Sequence, residues 1–174
     1  MMNGRICAIL ALVLLVGVAL NAGATVKMEQ VSVVRLVADT EVAAPSEKVW
    51  AYMTTGKNLV TWCPYWKSAK NAEVKITKVG DVLDFKDTWD NGGQSIVTYL
   101  DRNKEIRLAH EPTNGSYICQ AKLILIPAGA KTKIQYTEQY TDESSIDDLT
   151  SNAFKMQKEM EKTLAELKKG VEKE

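Results

Sequence analysis

The segment Arg35–Trp50, RLVADTEVAAPSEKVW, constrains the fold more than any other stretch of the chain. Val34, Leu36, Ala38, Thr40 and Val42 alternate with Arg35, Asp39 and Glu41. This period of two marks a half-buried strand over about Val31–Ala43. Pro45 ends it, because proline has no ladder donor to offer. Ser46 is placed to cap a helix over about Glu47–Thr55, with Val49, Trp50 and Met53 at helical spacing and Gly56 as its stop. A second short helical or irregular piece, Lys57–Trp62, leads into Cys63-Pro64-Tyr65-Trp66.

The rest reads as an antiparallel meander closed by one long helix. Runs of alternating character occupy Glu73–Val79, Val82–Trp89, Gln94–Leu100, Glu105–Glu111, Ser116–Ile126 and Thr132–Thr141. Turn signals separate them, the strongest being Asp90-Asn91-Gly92-Gly93, where glycine and asparagine tolerate positive φ. From about Asp147 to Glu172, Leu149, Ala153, Met156, Met160, Leu164, Leu167 and Val171 recur at steps of three and four. That is a one-faced helix, suited to covering a sheet; a coiled coil would need a longer pattern. The predicted architecture is α+β: a curved seven-stranded antiparallel sheet around a long C-terminal helix, with two short helices between strands 1 and 2.

The N-terminal residues 1–24 read as a signal peptide, leaving one domain over residues 25–174. Arg5 precedes the apolar run Ile6–Leu20, and Ala22-Gly23-Ala24 supplies small residues before a cleavage point. The alternative is an uncleaved anchor, although the run is short against the roughly 20 residues of a membrane span. No later segment is apolar enough to span. The chain is therefore expected to be exported, periplasmic or secreted. Lys+Arg and Asp+Glu both total 22, which gives no broad basic field and argues against a nucleic-acid partner. After cleavage Cys63 and Cys119 remain, either as a disulfide formed in an oxidising compartment or as two separate buried thiols. With one histidine and no Cys-x-x-Cys, the spacing calls for no metal and no cofactor.

Four features together give a family resemblance: VAAPSEKVWAYM at Val42–Met53, the aromatic Trp62–Trp66 segment, Val79-Gly80-Asp81 ahead of a strand, and the long last helix. The chain resembles the START/Bet v 1-like (SRPBCC) superfamily over nearly all of Val31–Glu172, and within it the polyketide cyclase/dehydrase and lipid-transport branch. The resemblance implies a helix-grip fold with a deep pocket between the sheet and the terminal helix. It also implies binding of lipids, sterols, polyketides or other hydrophobic compounds. It transfers no catalytic role, because no common catalytic motif spans such a family.

Strand parity, independently, gives the residues facing that interior. They include Leu83, Phe85, Asp87 and Trp89; Val97 and Tyr99; Ile106, Leu108 and His110; Tyr117, Cys119, Ala121, Leu123 and Leu125; Ile134, Tyr136, Glu138 and Tyr140. Tyr99, Tyr117, Tyr136 and Tyr140 would bring hydroxyls that need partners, consistent with a pocket holding a few polar points. Met156 and Met160 are expected as an adaptable floor. Trp62, Tyr65 and Trp66 are expected at an opening beside the helix pair. His110, the only imidazole, is the first candidate acid or base, with Asp87 and Glu138 as acidic partners. The sequence thus predicts a monomeric container for a small hydrophobic or amphipathic ligand. The alternatives are a cyclase-, dehydratase- or hydrolase-type enzyme using His110 with a carboxylate, and a protein-interaction module.

Overall fold

A computed structural model describes residues 32–86, 90–115, 117–142 and 146–174. The signal-peptide reading, Asp87, Trp89 and Ser116 lie outside the described residues. The order is β1 (Ser32–Val42), α1 (Ser46–Thr54), α2 (Gly56–Trp62), 3-10 turns at Pro64–Trp66 and Ala69–Glu73, β2 (Val82–Lys86), β3 (Gly92–Asp101), β4 (Glu105–Pro112), β5 (Cys119–Ala128), β6 (Lys131–Asp142) and α3 (Ile146–Lys173). The strands form one antiparallel sheet in the order β1-β6-β5-β4-β3-β2. The meander is thus read correctly from β2 to β6, and β1 closes onto β6 through a ladder from Ser32↔Asp142 to Val42↔Thr132.

The sheet has six strands among the described residues, not seven. The run Glu73–Val79 alternates, with Val74 half-buried and Ile76 buried, yet its backbone is committed elsewhere. The amide of Ile76 donates to Thr54 O, and Thr55 and Lys75 make a single bridge. Asp81 Oδ2 takes the amides of Thr77 and Lys78 at 2.6 and 3.0 Å. Buried Asn71 fastens the preceding turn to β2, donating to Trp66 O and Asp84 O and accepting from the Asp84 amide. The amides of Ile76, Thr77 and Lys78 are thus committed outside the sheet, and the alternation reflects Val74 and Ile76 turning into the core rather than sheet pairing.

Two helix-terminus expectations also change. The N-cap of α1 is Pro45, whose carbonyl accepts from the amides of Lys48 and Val49; Ser46 lies inside the helix and is buried. Gly56 does not end the helical region but opens α2. A Cβ there would run into the carbonyls of Asn71, Ala72 and Val74, so glycine lets α2 sit directly on the 3-10 turn.

The β1–α1 junction is where the end of α3 docks. The amide of Ala43 donates to Glu172 Oε1 at 2.8 Å, and Lys168 Nζ donates to Glu41 O at 2.8 Å. Tyr52 of α1 lies against Gly170, and Thr132 Oγ1 donates to Ala44 O in the interior. The APSEKVW segment therefore serves as an anchor for the helical cover. Behind it the core is dry: Val42, Val49, Leu59, Ile134, Leu167 and Val171 have no accessible surface. None of the helices formed by the described residues is long and apolar enough to cross a membrane.

Candidate functional site

The concave face of the sheet is built in rows, because cross-strand partners on one face line up. One row runs Leu83, Ser95, His110, Cys119, Tyr140 and Val34 across the sheet. The next runs Val97, Leu108, Ala121, Glu138 and Leu36. Leu83, Val97 and Leu108 are sealed at the β2–β4 side. His110, Tyr117 and Val34 keep partial exposure, whereas Ser95, Cys119 and Tyr140 in the same row are buried.

Four strands and the first 3-10 turn bring one polar cluster together around His110. Trp66 Nε1 donates to Ser95 Oγ at 2.9 Å, and Ser95 Oγ is bonded to His110 Nδ1 at 2.7 Å. His110 Nε2 lies 3.9 Å from Glu138 Oε1. Glu138 accepts from the Cys119 thiol at 3.1 Å through Oε2 and from the Tyr136 hydroxyl through Oε1. The imidazole edge also meets Phe85, with ring centroids 5.6 Å apart.

Burial sets the charge state of this cluster. It depresses His110 to about 4 and lifts Glu138 to about 7, the latter against the pull of the Tyr136 and Cys119 hydrogen bonds. Desolvation penalises the charged form of each group, which moves an imidazole down and a carboxyl up. His110 and Glu138 are therefore both mainly neutral just below pH 7, and their contact is not an ion pair there. Burial likewise raises the thiol of Cys63 and the phenols of Tyr65 and Tyr136.

A recess of ≈ 420 Å³ opens beside the cluster, lined by Pro64, Tyr65, Lys67, Ser68, Asp84, Phe85 and Lys86. It lies between the first 3-10 turn and β2. Tyr65 and Phe85 line it, and the Tyr65 hydroxyl reaches back to Met156 Sδ on α3 at 3.5 Å. Gly93 lets Phe85 lie flat across β3, since a Cβ there would sit 2.6 Å from the ring.

The other residues singled out in the sequence are distributed around this centre. Trp62 and Trp66 meet edge to face at 5.4 Å and are packed in the core rather than at an opening. Met160 is sealed, whereas Met156 keeps a little surface. Tyr136 and Tyr140 are buried and Tyr117 is half-buried, as parity predicted. Tyr99 is not inward. The ladder slips between Val97 and Tyr99, so Tyr99 emerges on the outer face, 41 % exposed, under the guanidinium of Arg107. A bulge adds one residue and reverses parity beyond it. Cys63 and Cys119 are not joined in a disulfide; both are buried thiols. Cys63 terminates α2, while the Cys119 thiol is engaged with Glu138. Ser95 and Asn71 were missed. The parity that selected Val97 also selects Ser95, so that signal was present; a buried asparagine in a turn leaves none.

Comparison with known proteins agrees with this architecture. A family model described as polyketide cyclase / dehydrase and lipid transport matches residues 33–172. Truncated norcoclaurine synthase from Thalictrum flavum is similar in structure, with a TM-score of 0.61, 10% identity, and 84% of this chain and 98% of that chain covered. The Aha1 dimer from Colwellia psychrerythraea gives a TM-score of 0.56 at 19% identity, covering 80% of this chain and 96% of that one. The Mll3558 protein from Rhizobium loti gives 0.60 at 13% identity, covering 79% and 99%. At these identities the likeness is one of fold. No match was found among curated proteins.

Proposed function

The chain belongs to the polyketide cyclase/dehydrase and lipid-transport family of the START/Bet v 1-like superfamily, and from that premise we propose that it is an exported, monomeric carrier for a small hydrophobic or amphipathic molecule. The observation that carries this reading is the ≈ 420 Å³ recess between the first 3-10 turn and β2, with the rings of Tyr65 and Phe85 in its wall and the His110–Glu138 cluster behind Phe85. Its size falls within the roughly 300–1,000 Å³ of small-molecule sites. Apolar burial would drive binding at about 25 cal/mol per Å² before association costs. Ser68, Lys67, Asp84 and Lys86, which line the recess, would supply the polar contacts that select one guest over another, with the His110–Glu138 cluster backing Phe85. Export rests on Arg5 and the Ile6–Leu20 run.

The experiment is a screen of lipids, sterols and aromatic compounds against the purified protein, read by melting temperature and tryptophan fluorescence. Trp66, joined to His110 through Ser95, is an internal reporter. At least one compound class is expected to raise the melting temperature and change the emission saturably. Failure across the whole library would remove the carrier reading.

A second reading is favoured by one specific contact: a carboxyl titrating near 7 lies 3.9 Å from the only imidazole. That pairing suits a cyclase-, dehydratase- or hydrolase-type proton transfer. Under it, a bound compound would be converted at a rate following the Glu138 titration, and Glu138→Gln would abolish conversion while retaining binding.

A further inference from the structure

His110, Cys119 and Glu138 come from three adjacent strands, and their ligand atoms lie within 4.8 Å of one another. We propose that His110 Nε2, Cys119 Sγ and Glu138 Oε2 bind a divalent first-row transition-metal ion, with zinc the best match to this donor set. One nitrogen, one thiolate and one carboxylate are the three kinds of donor zinc takes, and three protein ligands leave a fourth position open.

The distances are near what such a site needs. Zinc bonds of about 2.3 Å to sulfur and about 2.0–2.1 Å to nitrogen or oxygen give tetrahedral edges of about 3.3–3.6 Å. The structure has 3.1 Å between Cys119 Sγ and Glu138 Oε2, and 3.9 Å between His110 Nε2 and Glu138 Oε1. The Sγ–Oε2 edge needs to open by about half an ångström. The 3.9 Å runs to the other carboxylate oxygen, and with the three residues' donor atoms all within 4.8 Å of one another, a turn of the Glu138 carboxylate or of the imidazole closes the remaining edges. The donors stand on paired strands, with His110 opposite Cys119 and Glu138 opposite Ala121 two residues further on. Strand-borne ligands are held more rigidly than loop-borne ones.

The surroundings orient the donors. His110 Nδ1 meets Ser95 Oγ, whose position is fixed by Trp66 Nε1. With the imidazole proton on Nδ1 and donated to Ser95, Nε2 presents a lone pair towards Glu138. A metal-binding histidine ordinarily has such a partner on its other nitrogen. Tyr136 occupies Oε1 of Glu138 and leaves Oε2, the atom facing Cys119, for the ion.

Charge balance favours the same assignment. Binding would release the Cys119 thiol proton and the Glu138 carboxyl proton to solvent, and each released proton leaves one negative donor. Two negative donors cancel the ion's two positive charges, and the imidazole stays neutral. A buried site that ends neutral avoids the cost of an uncompensated charge. The inference does not rest on an apolar guest: a chain that carried none would still hold these donors.

The test is titration of chelator-treated protein with Co²⁺, whose visible spectrum reports thiolate ligation, followed by Zn²⁺. The expected result is saturation at one equivalent with a sulfur-to-cobalt charge-transfer band, displaced by one equivalent of Zn²⁺. The Cys7→Ser, Cys63→Ala double variant leaves Cys119 as the sole thiol and is expected to keep the band. Cys119→Ser is expected to lose it and to bind at least tenfold more weakly. Absence of one-to-one binding, binding without the thiolate band, or loss of the band from the double variant when circular dichroism shows it folded would overturn the proposal. The double variant therefore decides the matter even where Cys119→Ser does not fold.

Discussion

At the scale of single residues, the protein places a carboxyl and an imidazole side by side in the interior and neutralises both. The consequence is a specific pH signature. Glu138 has a folded pKa raised from 4.5 to about 7. The stability linked to it is complete below pH 4.5 and is lost as pH rises through 7, about 3 kcal/mol in all. His110 is lowered from 6.5 to about 4. Its linked stability is complete above pH 6.5 and is lost as pH falls through 4, by a similar amount. Between pH 4.5 and 6.5 the folded chain holds one more proton at Glu138 and one fewer at His110 than the unfolded chain, so the two slopes cancel. Denaturant melts across that window should therefore show that Glu138→Gln makes stability rise more steeply with pH than in the wild type. His110→Gln should make it fall. Identical slopes in all three proteins would mean that neither group is held neutral. Both residues were legible as inward-facing from strand parity. Their proximity was not, since it depends on the register of β4, β5 and β6, which alternation alone does not fix.

Among elements, the decisive contact is between α1 and the last turns of α3. Gly170 lies within a helix, where alanine would ordinarily gain about 1 kcal/mol. Here a Cβ would run into the ring and hydroxyl of Tyr52, which is buried and bonded to Thr61 Oγ1 at 3.0 Å. Gly170→Ala should therefore lower stability by about 1–3 kcal/mol in urea unfolding, and a gain instead would show that α1 and α3 are not clamped there. The apolar stripe of α3 announced that this helix covers something. The glycine announced nothing, because only the partner surface gives it meaning. The same holds for the two misread stretches. Glu73–Val79 looked like a strand because Val74 and Ile76 turn into the core while Asp81 takes the amides of Thr77 and Lys78. Tyr99 was misplaced because the slip at Thr98 leaves no compositional trace. β4 and β5 were read well because each has one buried and one more exposed face, and β1 because half-buried residues alternate with exposed ones, the condition under which alternation reports structure.

Taken as a whole, the molecule is a sheet whose cover is fastened firmly at one end and meets a recess at the other. The β1–α1 junction and the C-terminal turns of α3 close the first end with sealed aliphatic side chains. Tyr65, Phe85 and the polar cluster occupy the second. The sequence conveyed this division only as an expectation of a deep central pocket. The recess among the described residues lies between the first 3-10 turn and β2, and Trp62, Trp66 and Met160 are buried in the core. The most direct test is a titration of the purified protein with an environment-sensitive apolar fluorophore, in wild type and in Lys67→Trp. Lys67 is exposed on the rim of the recess, so an indole there would fill the space without disturbing the core. A single saturable site in the wild type, weakened at least tenfold in Lys67→Trp, is the predicted result. Equal binding by the two proteins, or no saturable binding by either, would contradict a guest site between the first 3-10 turn and β2.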